Sequence, residues 1–218
     1  MKCVERTASS TRTESAGDNN GFQTNPANAF ADDGLFAVDT DSGTNTSTTC
    51  TDAGKDKHNY YNYNLSIPSG SAINGIQVRL DAKADATTGA PKICVQLSWN
   101  GGTSWTTAKQ TTTLTTSEAT YTLGGAADTW GRTWAVGDFT NTNFRVRIIN
   151  VASNTSRDFS LDWAAVQVNY TPPAPTNTPT PTLTHTPTPT PTDTPTPTPT
   201  PTNTPTPTPP RPPCRRST

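Results

Sequence analysis

No apolar run in these 218 residues approaches the roughly 20 positions a membrane-spanning helix needs, so the chain itself contains no such segment. Histidine is nearly missing. Only His58 and His185 occur, and there is no zinc-ligand spacing, glycine-rich phosphate loop or nucleophile elbow, which leaves phosphoryl transfer, zinc chemistry and serine-type hydrolysis without a recognisable centre. His58 lies between Lys57 and Asn59 at the start of a strand, and a surface position is expected for it. Charge of one sign is lacking too: the formal net charge is −1, which gives neither a nucleic acid nor an anionic membrane an electrostatic footprint. Met1 to Ser10 lacks the apolar core and cleavage pattern of an export signal. The expectation is that the true start lies upstream or that the chain is a slice of a longer surface protein, and the basic end, residues 211–218, reads as a truncated frame.

Proline is scarce before residue 172 and then dominates, with 18 of the 21 prolines lying from Pro172 onward. Thr-Pro alternation cannot enter a helix or a sheet interior, because proline fixes φ, lacks an N–H and restricts the residue before it. Residues 172–210 are expected to form a polyproline II or disordered stalk of about 120 Å at full extension. Threonine recurs every second residue on a helix of three residues per turn, so the hydroxyls visit every side of the rod. Thr178, Thr180, Thr186, Thr188, Thr190, Thr194, Thr196, Thr198, Thr200, Thr204, Thr206 and Thr208 are candidates for O-glycosylation, which would place the chain outside the cell; an unmodified linker is the alternative. Asn177, His185, Asp193 and Asn203 open successive Thr-Pro runs, which makes His185 a repeat variant.

The first 171 residues are a different polymer, with 13 Lys/Arg against 16 Asp/Glu, a formal charge of −3. They suffice for one domain with a real core, most of it over residues 22–171. Apolar residues alternate in short runs: Tyr61, Tyr63, Leu65 and Ile67; Ile76, Val78 and Leu80; Ile93, Val95, Leu97 and Trp99; Phe144, Val146 and Ile148. Phe159, Leu161 and Trp163 share one face, while Val166, Val168 and Tyr170 follow in shifted phase, so a β-bulge near Ala164-Ala165 is expected. This pattern predicts an all-β fold: two antiparallel sheets in a jelly-roll or immunoglobulin-like sandwich.

Three sets of side chains invite a chemical reading. Cys94 lies on the strand face opposite Ile93 and Val95, and Cys50 lies in a Thr/Asp-rich loop; a disulfide between them would stabilise the fold by about 4 kcal/mol and would need an oxidising compartment, whereas two unpaired thiols are the alternative. Asp32, Asp33, Asp39 and Asp41 could coordinate structural calcium through oxygen, although Gly43 breaks the EF-hand spacing and polar turn chemistry explains the same residues. Trp130 and Trp134, in a loop that periodicity does not bury, could join Tyr60, Asn62 and Asn64 in a glycan-binding platform. Trp99 and Trp163 fall in core register.

Several strings carry a resemblance. Asn25-Pro26-Ala27-Asn28-Ala29 with Asp32-Asp33, Ile67-Pro68-Ser69-Gly70, Gln96-Leu97-Ser98-Trp99-Asn100-Gly101-Gly102, Asp128-Thr129-Trp130-Gly131-Arg132-Thr133-Trp134, Phe144-Arg145-Val146-Arg147 and Leu161-Asp162-Trp163 look like a recurrent β-sandwich module. That module occurs in large exported proteins of filamentous bacteria such as the Chloroflexota, often beside Thr-Pro stalks. The resemblance spans about residues 22–171 and implies a non-catalytic surface location. Ser98 to Trp105 is also similar to the Asp-box hairpin of sialidases, with Asn100 where aspartate is usual; a single copy implies a turn and no activity. The sequence therefore points to a non-catalytic extracellular module for cell-surface display, adhesion or matrix architecture, its partners being neighbouring surface proteins, copies of itself or glycans. Two rivals stand beside it. One is a carbohydrate-binding module of a larger secreted hydrolase, and the other a filament subunit in which an edge strand or the Val4–Ser10 segment pairs with a neighbouring copy.

Overall fold

The computed structural model describes residues 1–175; the predicted stalk from residue 176 on, its candidate threonines and the basic end lie outside the described residues. Ten strands build two five-stranded sheets: β1 (Lys2–Thr7), β2 (Ser10–Thr13), β3 (Ala37–Asp39), β4 (Lys57–Tyr61), β5 (Ala72–Ala84), β6 (Lys92–Ser98), β7 (Lys109–Gln110), β8 (Ala119–Gly124), β9 (Arg145–Val151) and β10 (Phe159–Thr171). Sheet A runs β1-β10-β5-β8 with β3 also on β10, and sheet B runs β2-β4-β9-β6-β7. Every pairing is antiparallel. The chain changes sheet at nearly every connection, which makes the sandwich a jelly roll and not an immunoglobulin-like one.

Alternation places the core as expected for the strongest strands. Ile76, Val78 and Leu80 from sheet A face Ile93, Val95, Leu97, Val146 and Ile148 from sheet B, all fully buried. On β10 the register shift falls between Leu161 and Trp163, so the extra residue is Asp162 and not the Ala164-Ala165 pair. Phe159 and Leu161 point inward before it, and Ala164, Val166 and Val168 after it. Trp163 is thereby turned out of the core and lies under the Arg79 guanidinium, 4.5 Å from the ring centre.

The Tyr61–Ile67 run departs further from the reading. Its regular strand ends at Tyr61, because Asn62 and Asn64 adopt left-handed backbone at φ 60° and 52°. The phase flips at Asn62, so Tyr60 and Tyr63 both go into the core while Tyr61 faces out. His58 follows Tyr60 inward. It is 2% exposed and bonded to Thr11 and Thr13, and burial pushes its imidazole down to about 4, which corrects the surface position expected for it.

The N-terminal segment is used within its own chain. β1 pairs with β10 from Lys2↔Tyr170 to Thr7↔Ala165, and β2 pairs with β4. Both are edge strands, so one side of each backbone is committed within the chain and the other side remains a sheet edge.

Candidate functional site

Cross-strand partners point to the same side of a sheet, and on sheet B this assembles a polar surface from four strands. Arg12 opposes Asn59, Asn59 opposes Arg147, and Arg147 opposes Gln96, forming one row across β2, β4, β9 and β6. The next row is Ser10, Tyr61, Arg145 and Ser98. Glu14 knits the first row together: its Oε1 accepts from Asn59 Nδ2 at 2.6 Å and from Arg147 Nε and Nη2 at 3.0 and 2.8 Å. Arg147 also donates to Gln96 Oε1 at 3.2 Å and stacks on Trp105, its Cζ 3.7 Å from the ring centre. Arg145 covers Tyr61 in the same way at 4.2 Å.

Above these rows lies an open groove of about 360 Å³, bounded by Arg12, Glu14, Asn59, Arg147 and the Gly101-Gly102 turn. A hollow of about 130 Å³ continues it over Tyr61 and Arg145. The turn is set by Asn100, whose Oδ1 accepts from Ser104 N at 2.8 Å, and by Gly101 and Gly102 at φ 71° and 96°. That geometry brings Trp105 back against the sheet. Arg12 and Arg145 make no ion pair among the described residues; Arg145 Nη1 donates to Asn141 O at 2.8 Å, while the Arg12 guanidinium is left as an uncommitted donor beside a pre-arranged network.

The residues expected to form a glycan platform do not assemble. Tyr60 is fully buried, and Trp130 and Trp134 are 4% and 6% exposed within the core. Trp130 Nε1 donates to Ile76 O and Trp134 Nε1 to Thr129 O, both at 2.8 Å, which satisfies the only polar atom of each indole. Asn62 and Asn64 hold turns through Ser10 and Asn141. Periodicity had no hold on the two tryptophans because they sit in a loop, which the structure folds over the end of the sandwich against Phe139 and Phe144. The aromatics beside the groove are Tyr61 and Trp105; the hairpin from Ser98 to Trp105 is legible as a turn, whereas Tyr61 faces opposite to the side that its alternation with Tyr63 predicts. Trp99, read as core, is half-buried at the core's edge beneath Arg132.

The four aspartates proposed for calcium also separate. Asp33 caps its own turn by accepting from Leu35 N, and Asp32 pairs with Arg79 at 3.2 Å. Asp39 is buried against Asn150 at 2.7 Å, and burial drives its carboxyl up to about 9. Asp41 joins Asp18 and Asp56, while Asp32 comes near Glu118 and Asp162. Cys50 and Cys94 are disulfide-bonded with Cα atoms 5.7 Å apart, and the bond holds the Thr40–Asp56 loop over Ile149 and Val151 on the far part of the same sheet face. The groove thus occupies the part of sheet B that this loop leaves open.

No protein-family model matches the chain, and no curated protein sequence matches it significantly. Among solved structures it is similar to a CBM4 carbohydrate-binding module (10% identity, 77% of this chain and 94% of the other, TM-score 0.38). It is similar as well to the CBM22-1–GH10 modules of Clostridium thermocellum xylanase 10B complexed with xylohexaose (9% identity, 65% and 26%, TM-score 0.32). A Stig cyclase from Fischerella, an enzyme, shows a comparable likeness (12% identity, 73% and 98%, TM-score 0.29). At these values no ligand or activity passes from any of them to this chain.

Proposed function

We propose that this chain is a non-catalytic, extracellular glycan-binding module carried on its Thr-Pro segment, and that glycan lies along the groove over sheet B. The observation that carries the reading is the row Arg12–Asn59–Arg147–Gln96 with Tyr61 and Trp105 beside it. Sugars combine many hydroxyls with C–H faces, and an open groove of amides, guanidinium groups and aromatic edges can satisfy both. An apolar ligand would find little there to bury against. Adhesion or display at a cell surface follows if the glycan belongs to a neighbouring cell or matrix. The Cys50–Cys94 bond supports an oxidising location. For a non-catalytic role, the support is that the only histidine of the β-domain is closed inside the core and hydrogen-bonded to threonines.

The test is affinity electrophoresis of the full chain in gels containing soluble xylan, mixed-linkage glucan, polygalacturonate or alginate. At least one should retard the protein, and Arg12→Ala and Tyr61→Ala should abolish the retardation without lowering the melting temperature. Retardation by none of the four would sink the reading. Retardation unchanged in both variants would remove the site from this face.

A further inference from the structure

On the side of the sandwich where the Thr40–Asp56 loop begins and ends, three carboxylates converge with no cation to answer them. Asp18 follows β2, Asp41 follows β3, and Asp56 immediately precedes β4. One oxygen from each lies within 4.8 Å of the others. Ligand oxygens around one calcium ion sit about 2.3–2.6 Å from it, so oxygens this close can all reach a single ion.

Asp56 is 1% exposed, and its Oδ2 has no hydrogen-bond partner. Its Oδ1 accepts only from Asp18 N at 3.2 Å. A buried carboxylate oxygen left bare beside two further carboxylates is costly unless something positive meets it. No lysine or arginine does so, since none of the ion pairs among the described residues includes Asp18, Asp39, Asp41 or Asp56. Lys55 is adjacent in sequence, but its Nζ is spent on Ser42 Oγ, Asn45 O and Ala152 O. A second bare acceptor is at hand: Asn20 donates through Nδ2 to Asp41 Oδ2 at 2.9 Å, and its own Oδ1 is buried without a partner. Gly17 lets the backbone close on the group, for a Cβ there, at φ 63°, would stand 2.1 Å from Asp56 Oδ1.

We propose that Asp18, Asp41 and Asp56, with Asn20 beside them, bind one calcium ion that fastens both ends of the Thr40–Asp56 loop to the segment after β2. All the donors are oxygen, which selects a hard cation over zinc or copper. The disulfide already pins the middle of the loop, and the ion would hold its two ends. The other acidic group is less suited: Asp32 already pairs with Arg79, and Asp162 accepts the amides of Asp33 and Gly34.

Calcium alone, titrated calorimetrically into the chelator-stripped full chain, tests this. One ion per chain is expected, with Kd on the order of 10⁻⁴ M, together with a higher melting temperature and slower proteolysis within residues 40–56. Asp18 is exposed, so Asp18→Asn should fold as before, and both it and Asp41→Asn should weaken binding by roughly tenfold or more through loss of ligand charge. Asp32→Asn should bind as the unaltered chain does. Absence of calcium binding at millimolar concentration overturns the proposal. So does full affinity in either Asp18→Asn or Asp41→Asn, or loss of binding in Asp32→Asn.

Discussion

Trp130 and Trp105 both lie outside the regular strands, and their surroundings give them opposite duties. Trp130 closes one end of the core, its indole N–H on Ile76 O, and Gly124 makes room for it: at φ 78°, a Cβ there would meet Trp130 Nε1 at 2.6 Å and Ile76 O at 2.2 Å. Trp105 lies half-buried on the sheet surface under Arg147. Truncating a buried aromatic loses both its transfer free energy and the packing around it. Trp130→Ala should therefore cost about 3–5 kcal/mol in urea unfolding, whereas Trp105→Ala should cost less than about 1 kcal/mol, the worth of an exposed cation–π contact. Equal losses in the two variants would contradict the division between core and surface.

At the level of elements, short polar strands are held by what they cover. β1 is mostly exposed, yet it caps the long β10, which would otherwise present a free edge rich in valine. The Thr40–Asp56 loop has no strand of its own and is tethered by Cys50 to Cys94 on β6. Closing the 44-residue separation removes disorder from the unfolded chain worth about 4 kcal/mol on the chain-entropy model. Replacing both cysteines by alanine should lower the unfolding free energy by about that amount, with the β-type circular dichroism retained. A pair of variants as stable as the parent would show that the loop holds its place without the bond.

For the whole molecule, the two sheets close on one another between Lys2 and Thr171, and every strand has its partner inside those limits. A chain ended at Pro175 should therefore unfold in one cooperative transition at the same temperature as the full chain. A lower or broadened transition, followed by calorimetry, would show that residues beyond 175 contribute to the fold.

The sequence by itself determined the class of fold, the faces of β5, β6 and β9, the shift of phase on β10 and the outward face of Cys94. Those are local matters, because a period of two residues states which side of a strand is apolar without reference to any neighbour. It also marked where the β-rich composition stops and the Thr-Pro composition begins. Only the tertiary structure decided the rest. Trp130 and Trp134 are core because a loop with no period folds over the end of the sandwich, and Tyr61 is surface because one left-handed asparagine reverses the alternation. Arg12, Asn59, Arg147 and Gln96 come from four strands, and Asp18, Asp41 and Asp56 from three separate segments. No spacing along the chain encodes either group, since each depends on strand pairing between positions tens of residues apart.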